Sequence, residues 1–172
     1  MKEYMKIFVR TLIIAILVVI IFKNVLMLSI VPSGSMENTL NINDIVLSIR
    51  IDPTKTSIER GDIIIFTLPN DTQKGKLYIK RVIGLPNDRI EFKDNVVYIN
   101  GEALKEDYLK EHMNTKDNIY IVPENEFFVM GDNRNNSNDS RYWEYSYVKR
   151  ENIKAKAIAT ILPLSSIKSL TN

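Results

Sequence analysis

The 172-residue sequence contains no cysteine, and His112 is its only histidine. The missing cysteines exclude disulfides, a thiolate nucleophile and any metal site with cysteine ligands. A single histidine also excludes a metal site built from several histidines. We expect no metal and no cofactor, and any catalysis must use serine, threonine, lysine, tyrosine, aspartate or glutamate side chains.

A strong excess of one charge is also missing. The chain has 23 Lys and Arg against 21 Asp and Glu, a formal net charge of +2, and the two signs are mixed along the sequence. This balance gives no argument for nucleic acid as a partner. The length fits one domain plus a small appendage and is sufficient to bury a core.

The longest apolar run lies near the N-terminus. It reads "TLIIAILVVIIF" at residues 11–22, is interrupted by Lys23, and resumes as "VLMLSIV". Because a spanning helix needs about 20 apolar residues, we predict a transmembrane anchor at residues 7–28, with Arg10 and Lys23 reaching toward the interfaces. A cleaved signal and a buried core helix are the alternatives. The resumed apolar run argues against the first, and the absence of a polar face against the second.

Positive charge precedes this run at Lys2, Lys6 and Arg10. Basic residues flanking an apolar segment favour the cytoplasmic side. We therefore predict that residues 1–6 lie in the cytoplasm and that residues 29–172 form a domain on the extracytoplasmic face of the cell membrane.

From about Asp44 onward, short apolar runs alternate with turn residues. Runs such as "DIVLSIRI", "GDIIIFTL" and "LYIKRVIG" are rich in Ile and Val, and "KDN" and "NG" are typical hairpin turns. The pattern predicts a mainly β fold, a coiled, barrel-like antiparallel β-sheet, with a small β-rich lobe inserted at about residues 90–120. Within that lobe, residues 102–112 are expected to form one short helix.

A short Ser/Gly stretch, "PSGSMENTL", follows the predicted anchor directly. Ser35 is the candidate nucleophile. In an extended stretch Ser33 projects to the same side, and Gly34 permits close approach by another backbone. The Ser33 hydroxyl and the Ser35 N–H could then converge on one carbonyl oxygen as an oxyanion hole. On composition alone, a solvated turn is the simpler interpretation.

A nucleophilic serine needs a base. His112 lies in the polar stretch "LKEHMNTK", which is typical of a surface histidine. Lys80 lies in "LYIKRVIG", on a strand face shared with Tyr78 and Val82. An inward Lys80 would be partly desolvated, which lowers its pKa. An outward lysine on an edge strand is equally compatible with the pattern.

A third stretch, "MGDNRNNSNDSRYW" at residues 130–143, is dense in Asn, Asp and Ser and carries Arg134 and Arg141. A plain surface loop is one interpretation. So many groups able to cap backbone and pair charges favour an ordered loop instead.

Together these blocks carry a resemblance. "PSGSMENTL", "GDIIIF", "YIKRVIGLPND" and "GDNRNNSNDSRYW" follow one another in the order found in type I signal peptidase, the membrane-bound Ser–Lys endopeptidase of bacteria, behind an anchor where that family has one. The short lobe resembles the compact, single-span members of Gram-positive bacteria. The lysine argues against the eukaryotic and archaeal branch, which has histidine at that position.

The resemblance implies a catalytic role for several residues. Ser35 would be the nucleophile and Lys80 the general base. The Ser33 hydroxyl and the Ser35 N–H would form the oxyanion hole. Ser137 would hydrogen-bond to Lys80 and orient it.

The resemblance also implies a supporting set of charged residues. Asp139 and Arg141 would form an ion pair near Arg81, and we expect both guanidinium groups to approach Asp139. Asp62 and Asp132 would be structural. The sequence departs from the family pattern at Asn38, where a proline is usual, which leaves open how rigid the turn after Ser35 is. It departs again at Glu144, where a glycine is usual after Trp143.

The implied substrates are secretory preproteins, bound as an extended strand, with small pockets for alanine-like side chains before the cleavage site. The lipid bilayer is the other expected partner. Two alternatives stay open. A Ser–Lys self-cleaving, repressor-like protease is disfavoured by the predicted anchor. A non-catalytic membrane-anchored β-domain is disfavoured by the presence of Ser35 and Lys80.

Overall fold

The computed structural model describes residues 1–69 and 75–171. The chain begins with one long helix, α1 (Lys2–Asn24), none of whose residues is buried. Within the described ranges, α1 is the one helix whose length and mean hydropathy of 2.6 would allow it to cross a membrane. A helix bonds all its backbone groups within the segment, which a lipid environment requires.

The helix ends before the predicted anchor does. Val25 donates its N–H to the carbonyl of Ile21 at 2.8 Å, and the next residues form a strand, β1 (Leu26–Ile30). β1 pairs antiparallel with β2 (Ile45–Arg50). The predicted anchor covers residues 7–28, but its last three residues, 26–28, belong to the sheet. Pairing with β2 satisfies their backbone hydrogen-bonding groups.

In the rest of the described chain, the regular elements are β-strands and short 3₁₀ turns. The strands that follow are β3 (Ile63–Phe66), β4 (Tyr78–Gly84), β5 (Arg89–Lys93), β6 (Val96–Ile99), β7 (Glu102–Ala103), β8 (Asn118–Ile121), β9 (Glu126–Met130), β10 (Val148–Lys149), β11 (Ile153–Leu162) and β12 (Lys168–Ser169). The larger antiparallel sheet has the order β1-β2-β11-β3-β4-β9-β10, with β12 beside β11.

This larger sheet is bent. The register of β11 on β2 shifts between Ala157 and Ala159 and again between Thr160 and Leu162. Such irregularities bend a strand and increase its twist, and the sheet curls into a half-barrel. The predicted fold class, a mainly β protein with a coiled, barrel-like antiparallel sheet behind one N-terminal helix, is confirmed.

Burial along the strands follows their place in the sheet. All four residues of β3 and all five of β9 are buried, whereas β11 alternates. A strand covered on both faces is apolar along its whole length, as "IIIF" is. Ile63 joins Val31, Met36 and Leu40 in one core cluster. That cluster fixes the segment on either side of Ser35 against the sheet.

The inserted lobe is a second, four-stranded sheet in the order β7-β6-β5-β8. Its hairpin turns use backbone with positive φ at Asp94, Asn95, Asn100 and Gly101, which suits these residue types. The expected helix at residues 102–112 is wrong. The "NG" turn leads into β7 instead, and the residues after β7 are held by side-chain contacts with the larger domain.

Candidate active site

The nucleophile candidate lies on a short turn. Gly34–Met36 form one turn of 3₁₀ helix, closed by the N–H of Glu37 on the carbonyl of Gly34 at 3.1 Å. Ser35 is only 8% exposed, although loops of this composition are usually solvated. Met36 and Leu40 are fully buried and anchor the turn.

The backbone here differs from the extended chain assumed in the sequence analysis. Ser33 is extended, but Ser35 belongs to the 3₁₀ turn, so simple alternation does not relate their side chains. The close neighbour of Gly34 is also different: an added Cβ would meet the Glu37 carboxylate at 2.5 Å rather than another backbone. The shared oxyanion role of Ser33 and Ser35 stays a prediction.

Lys80 points inward from β4. It is 4% exposed, lies opposite Ile64 of β3, and its Nζ donates a hydrogen bond to Ser35 Oγ at 2.5 Å. Burial lowers the pKa of Lys80 from 10.5 to about 8, against the opposing charges of Asp139 and Asp132. Near neutral pH a lysine with this pKa is neutral for an appreciable fraction of the time and can accept a proton.

Ser137 lies beside this pair without bonding to it. Its hydroxyl is buried and has no hydrogen-bond partner within residues 1–69 and 75–171, so the expected bond to Lys80 is not formed. An added Cβ at Gly131 would lie 2.3 Å from both Ser137 Oγ and the Ser35 carbonyl oxygen. Gly131 is therefore the residue that lets the Ser137 loop pack against the nucleophile turn.

Asp139 and Arg141 form a bidentate ion pair. Arg141 Nε and Nη2 donate to the two Asp139 oxygens at 2.8 and 2.9 Å. Asp139 also accepts the N–H of Gly131 at 3.0 Å, and Arg141 Nη2 also donates to the carbonyl of Arg134 at 2.7 Å. These bonds close residues 131–141 into one ordered loop.

The predicted contact of Arg81 with Asp139 is wrong. Arg81 binds Asp132 instead, with Nε and Nη2 donating at 2.8 and 2.7 Å. Arg81 lies opposite Met130 in the β4–β9 pair, so Asp132, two residues further along, comes alongside it. Successive strand residues point to opposite faces, which turns Arg81 away from the face that Lys80 occupies.

Two residues of the lobe, Tyr108 and Glu106, lie between Arg81 and Arg134 and together contact both. The Arg81 guanidinium stacks 3.9 Å from the centre of the Tyr108 ring. Tyr108 donates its hydroxyl to Glu106 at 2.7 Å, and Glu106 also pairs with Arg134. Burial, with Glu106 nearby, raises the pKa of Tyr108. In the sequence, Glu106 and Tyr108 lie in a polar stretch that does not indicate their contacts with Arg81 and Arg134.

Asn38 has a backbone that proline could not adopt. Its φ is +84°, whereas proline is fixed near −65°. The Asn38 amide donates to the carbonyls of Tyr108 and Leu109 at 3.1 and 3.3 Å. In this chain, side-chain bonds to the lobe thus hold the turn after Ser35, at the position where proline is usual in the family.

The remaining candidates are Asp62 and His112. Asp62 accepts the N–H of Glu59 at 2.9 Å and pairs with Lys156 at 2.7 Å, which is a structural contact. His112 is exposed on the lobe. The basic group within hydrogen-bond reach of Ser35 Oγ is Lys80.

A groove lies between β1 and the beginning of β4. It has a volume of about 190 Å³ and is lined by Leu28–Pro32 on one side and by Ile65 and Leu77–Ile79 on the other. β1 is the last strand of the larger sheet. Its outer edge therefore offers backbone groups to an additional strand.

Comparison with known proteins places the chain among the serine endopeptidases. It belongs to the family described as signal peptidase, peptidase S26, whose sequence model matches residues 1–162. The resemblance drawn from the four sequence blocks is thereby confirmed.

The chain is similar to the protein named probable signal peptidase I-2 of Synechocystis sp., at 38% identity over 146 residues, which cover 83% of this chain and 66% of that protein. It is similar to signal peptidase I of Leptolyngbya laminosa at 37% identity, which covers 81% of this chain and 70% of that protein. A crystal structure of a signal peptidase I from Enterococcus faecalis V583 matches with a TM-score of 0.51 and 36% identity, over 59% of this chain and 97% of that one.

Proposed function

We propose that this protein is a membrane-anchored endopeptidase that removes N-terminal signal peptides from secretory preproteins, with Ser35 as nucleophile and neutral Lys80 as general base. The observation that carries the proposal is the hydrogen bond of 2.5 Å between Lys80 Nζ and Ser35 Oγ in a buried setting. The names of the relatives, all signal peptidases, support the choice of substrate.

The chemistry runs in two halves. Ser35 Oγ attacks the scissile carbonyl while neutral Lys80 accepts its proton, and the new oxyanion is held by the Ser35 N–H and the Ser33 hydroxyl. The Lys80 ammonium then protonates the leaving amine, which releases the mature protein. Water, deprotonated by Lys80, attacks the acyl–Ser35 ester and releases the signal peptide.

Arg81 and Asp132 support this role for Lys80. The contacts of Arg81 with Asp132 hold its guanidinium group on the other face of β4. A cation directed at the Lys80 amine would lower the lysine's proton affinity further. A carboxylate left unpaired there would raise it. The arrangement leaves burial as the main influence on the Lys80 pKa.

The substrate would bind in the groove beside β1. An extended peptide can add to the free edge of a sheet through backbone hydrogen bonds. Along the chain, the groove lining ends at Pro32, shortly before Ser35, and at Ile79, next to Lys80, so we expect a peptide lying there to bring its scissile carbonyl to the dyad. The small volume of the groove suits alanine-like side chains.

Topology completes the proposal. Helix α1 would cross the membrane with Lys2, Lys6 and Arg10 on the cytoplasmic side, and the catalytic domain, which begins with β1 at Leu26, would lie on the extracytoplasmic face. Ser35 follows the helix closely. The scissile bond of a preprotein emerges near the same membrane surface, so the nucleophile would meet it at the correct height.

The test uses the full chain in detergent and a purified preprotein. We expect cleavage at one bond, identified by the masses of the two products, and no cleavage by a folded Ser35→Ala variant. Cleavage that persists in Ser35→Ala would contradict the proposed nucleophile. Absence of cleavage by the wild type, with several preproteins, would contradict the proposed function.

A further inference from the structure

The Gly34–Ser35 segment is clamped by one buried residue, Asn133, through both its side chain and its backbone. Asn133 Nδ2 donates to the Gly34 carbonyl at 2.9 Å, and the Asn133 backbone N–H donates to the Ser35 carbonyl at 3.1 Å. Asn133 is 2% exposed, so water scarcely competes for these bonds.

The orientation of the Asn133 amide is determined by its surroundings. Its Nδ2 also lies 3.3 Å from a carboxylate oxygen of Glu37, which itself pairs with Lys110 at 2.5 Å. Both neighbours of this end of the amide are acceptors, so the NH₂ group and not the oxygen must face them. The donor to the Gly34 carbonyl is therefore fixed.

Fixing the Gly34 carbonyl also fixes the Ser35 N–H. The two groups belong to one planar trans peptide and point in opposite directions. A hydrogen bond received by the carbonyl also polarises the peptide and strengthens its N–H as a donor.

We propose that Asn133 is a positioning residue of the oxyanion hole, which holds the Gly34–Ser35 peptide so that the Ser35 N–H faces the developing oxyanion. This inference rests on the function proposed above. The clamp is needed because glycine tolerates a wide range of backbone angles and a single 3₁₀ turn is weakly held by its own hydrogen bonds. Without the clamp, rotation of the peptide would withdraw the donor and present the Gly34 carbonyl oxygen to negative charge.

Asn135 provides a matched control on the same turn. Its amide donates to the carbonyl of His112 at 3.0 Å and accepts the N–H of Asn114 at 2.8 Å. Within the described part of the chain, the Asn135 side chain thus joins the turn to the lobe, whereas Asn133 joins the turn to the nucleophile segment. A purely structural asparagine and a positioning asparagine can thus be compared within one loop.

The first experiment measures kcat and KM of the full chain for Asn133→Ala and Asn135→Ala. Deleting an oxyanion donor typically costs about 10²–10³ in kcat, and we expect a misdirected donor to cost about 10- to 100-fold. KM and the acidic limb of the pH profile should stay as in the wild type, because Lys80 keeps its contacts. Asn135→Ala should keep the wild-type kcat. An active wild type together with an unchanged kcat in Asn133→Ala would overturn the inference while leaving the proposed function intact.

The second experiment separates positioning from folding. A substrate-derived peptide aldehyde forms a tetrahedral adduct with Ser35, whereas the corresponding alcohol binds without an oxyanion. Asn133→Ala should weaken aldehyde binding by the factor lost in kcat/KM and leave alcohol binding unchanged. Asn133→Asp keeps the shape of the side chain but places an acceptor against the Gly34 carbonyl. Like Asn133→Ala, it should therefore weaken aldehyde binding and leave alcohol binding unchanged. Equal weakening of both ligands, or failure of both variants to fold, would show a structural role and refute the inference.

Discussion

Replacing Lys80 by methionine should abolish cleavage and make the protein more stable near neutral pH. Burial lowers the pKa of Lys80 from 10.5 to about 8, so the folded protein holds the charged amine at a cost. At 1.36 kcal/mol per pKa unit, that cost is about 3 kcal/mol. Methionine removes the charge but also the bond to Ser35, worth about 1 kcal/mol. The expected gain in the free energy of unfolding is therefore about 2 kcal/mol.

The gain should depend on pH in a defined direction. Below a pH of about 8, Lys80 is protonated in both the folded and the unfolded protein, and the full cost is present. Between about 8 and 10.5, the unfolded chain binds the proton and the folded chain does not. Wild-type stability then rises with pH relative to the variant, so the advantage of Lys80→Met should shrink across this window.

Urea unfolding of the full chain in detergent, at several pH values on either side of this window, would measure the difference. The matched control is Lys154→Met, since Lys154 is exposed on β11. Exposed substitutions usually change stability by less than about 0.5 kcal/mol. A Lys80→Met variant that is less stable than the wild type near neutral pH, or a gain independent of pH, would refute the buried, destabilised amine.

Three other outcomes are expected. Gly131→Ala should lower kcat by about 10²-fold, because its Cβ would lie 2.3 Å from the Ser35 carbonyl and displace the turn; wild-type kinetics would contradict that packing. Asp139→Ala leaves the Arg141 guanidinium buried without its carboxylate and should cost about 3–5 kcal/mol, seen as a lower Tm with lower activity; an unchanged Tm and full activity would show the pair to be dispensable. Protease added to intact protoplasts should digest the β-domain, and protection of that domain would contradict the proposed topology.

Local sequence patterns account for most of the strands. β2, β3 and β4 have Ile- and Val-rich runs bounded by turn residues, and such local signals depend little on distant contacts. β1 (Leu26–Ile30) was hidden because its apolar residues continue the helix pattern, and only pairing with β2 distinguishes it. The two-residue strands β10 and β12 have no pattern of their own and exist through their partners.

In the candidate site, too, local patterns indicate some features, whereas others depend on contacts between distant segments. Strand alternation placed Lys80 on one face of β4 but left open whether that face points inward or outward. In the structure it points inward. The partner of Arg81 does not follow from alternation, because it depends on the register of β4 against β9. Tyr108 and Asn133 act through contacts between segments far apart in the chain. Their neighbouring residues in sequence carry no trace of those contacts.

The central claim is that Lys80 acts as a base in its neutral form, and cleavage of a preprotein by a folded Lys80→Arg variant tests it most directly. Arginine keeps the charge and much of the length of lysine but cannot release its proton. We expect Lys80→Arg to be as inactive as Lys80→Ala at every pH. The wild-type kcat/KM should meanwhile rise with pH through the lysine pKa of about 8. Substantial cleavage by the folded arginine variant would contradict the proposed mechanism.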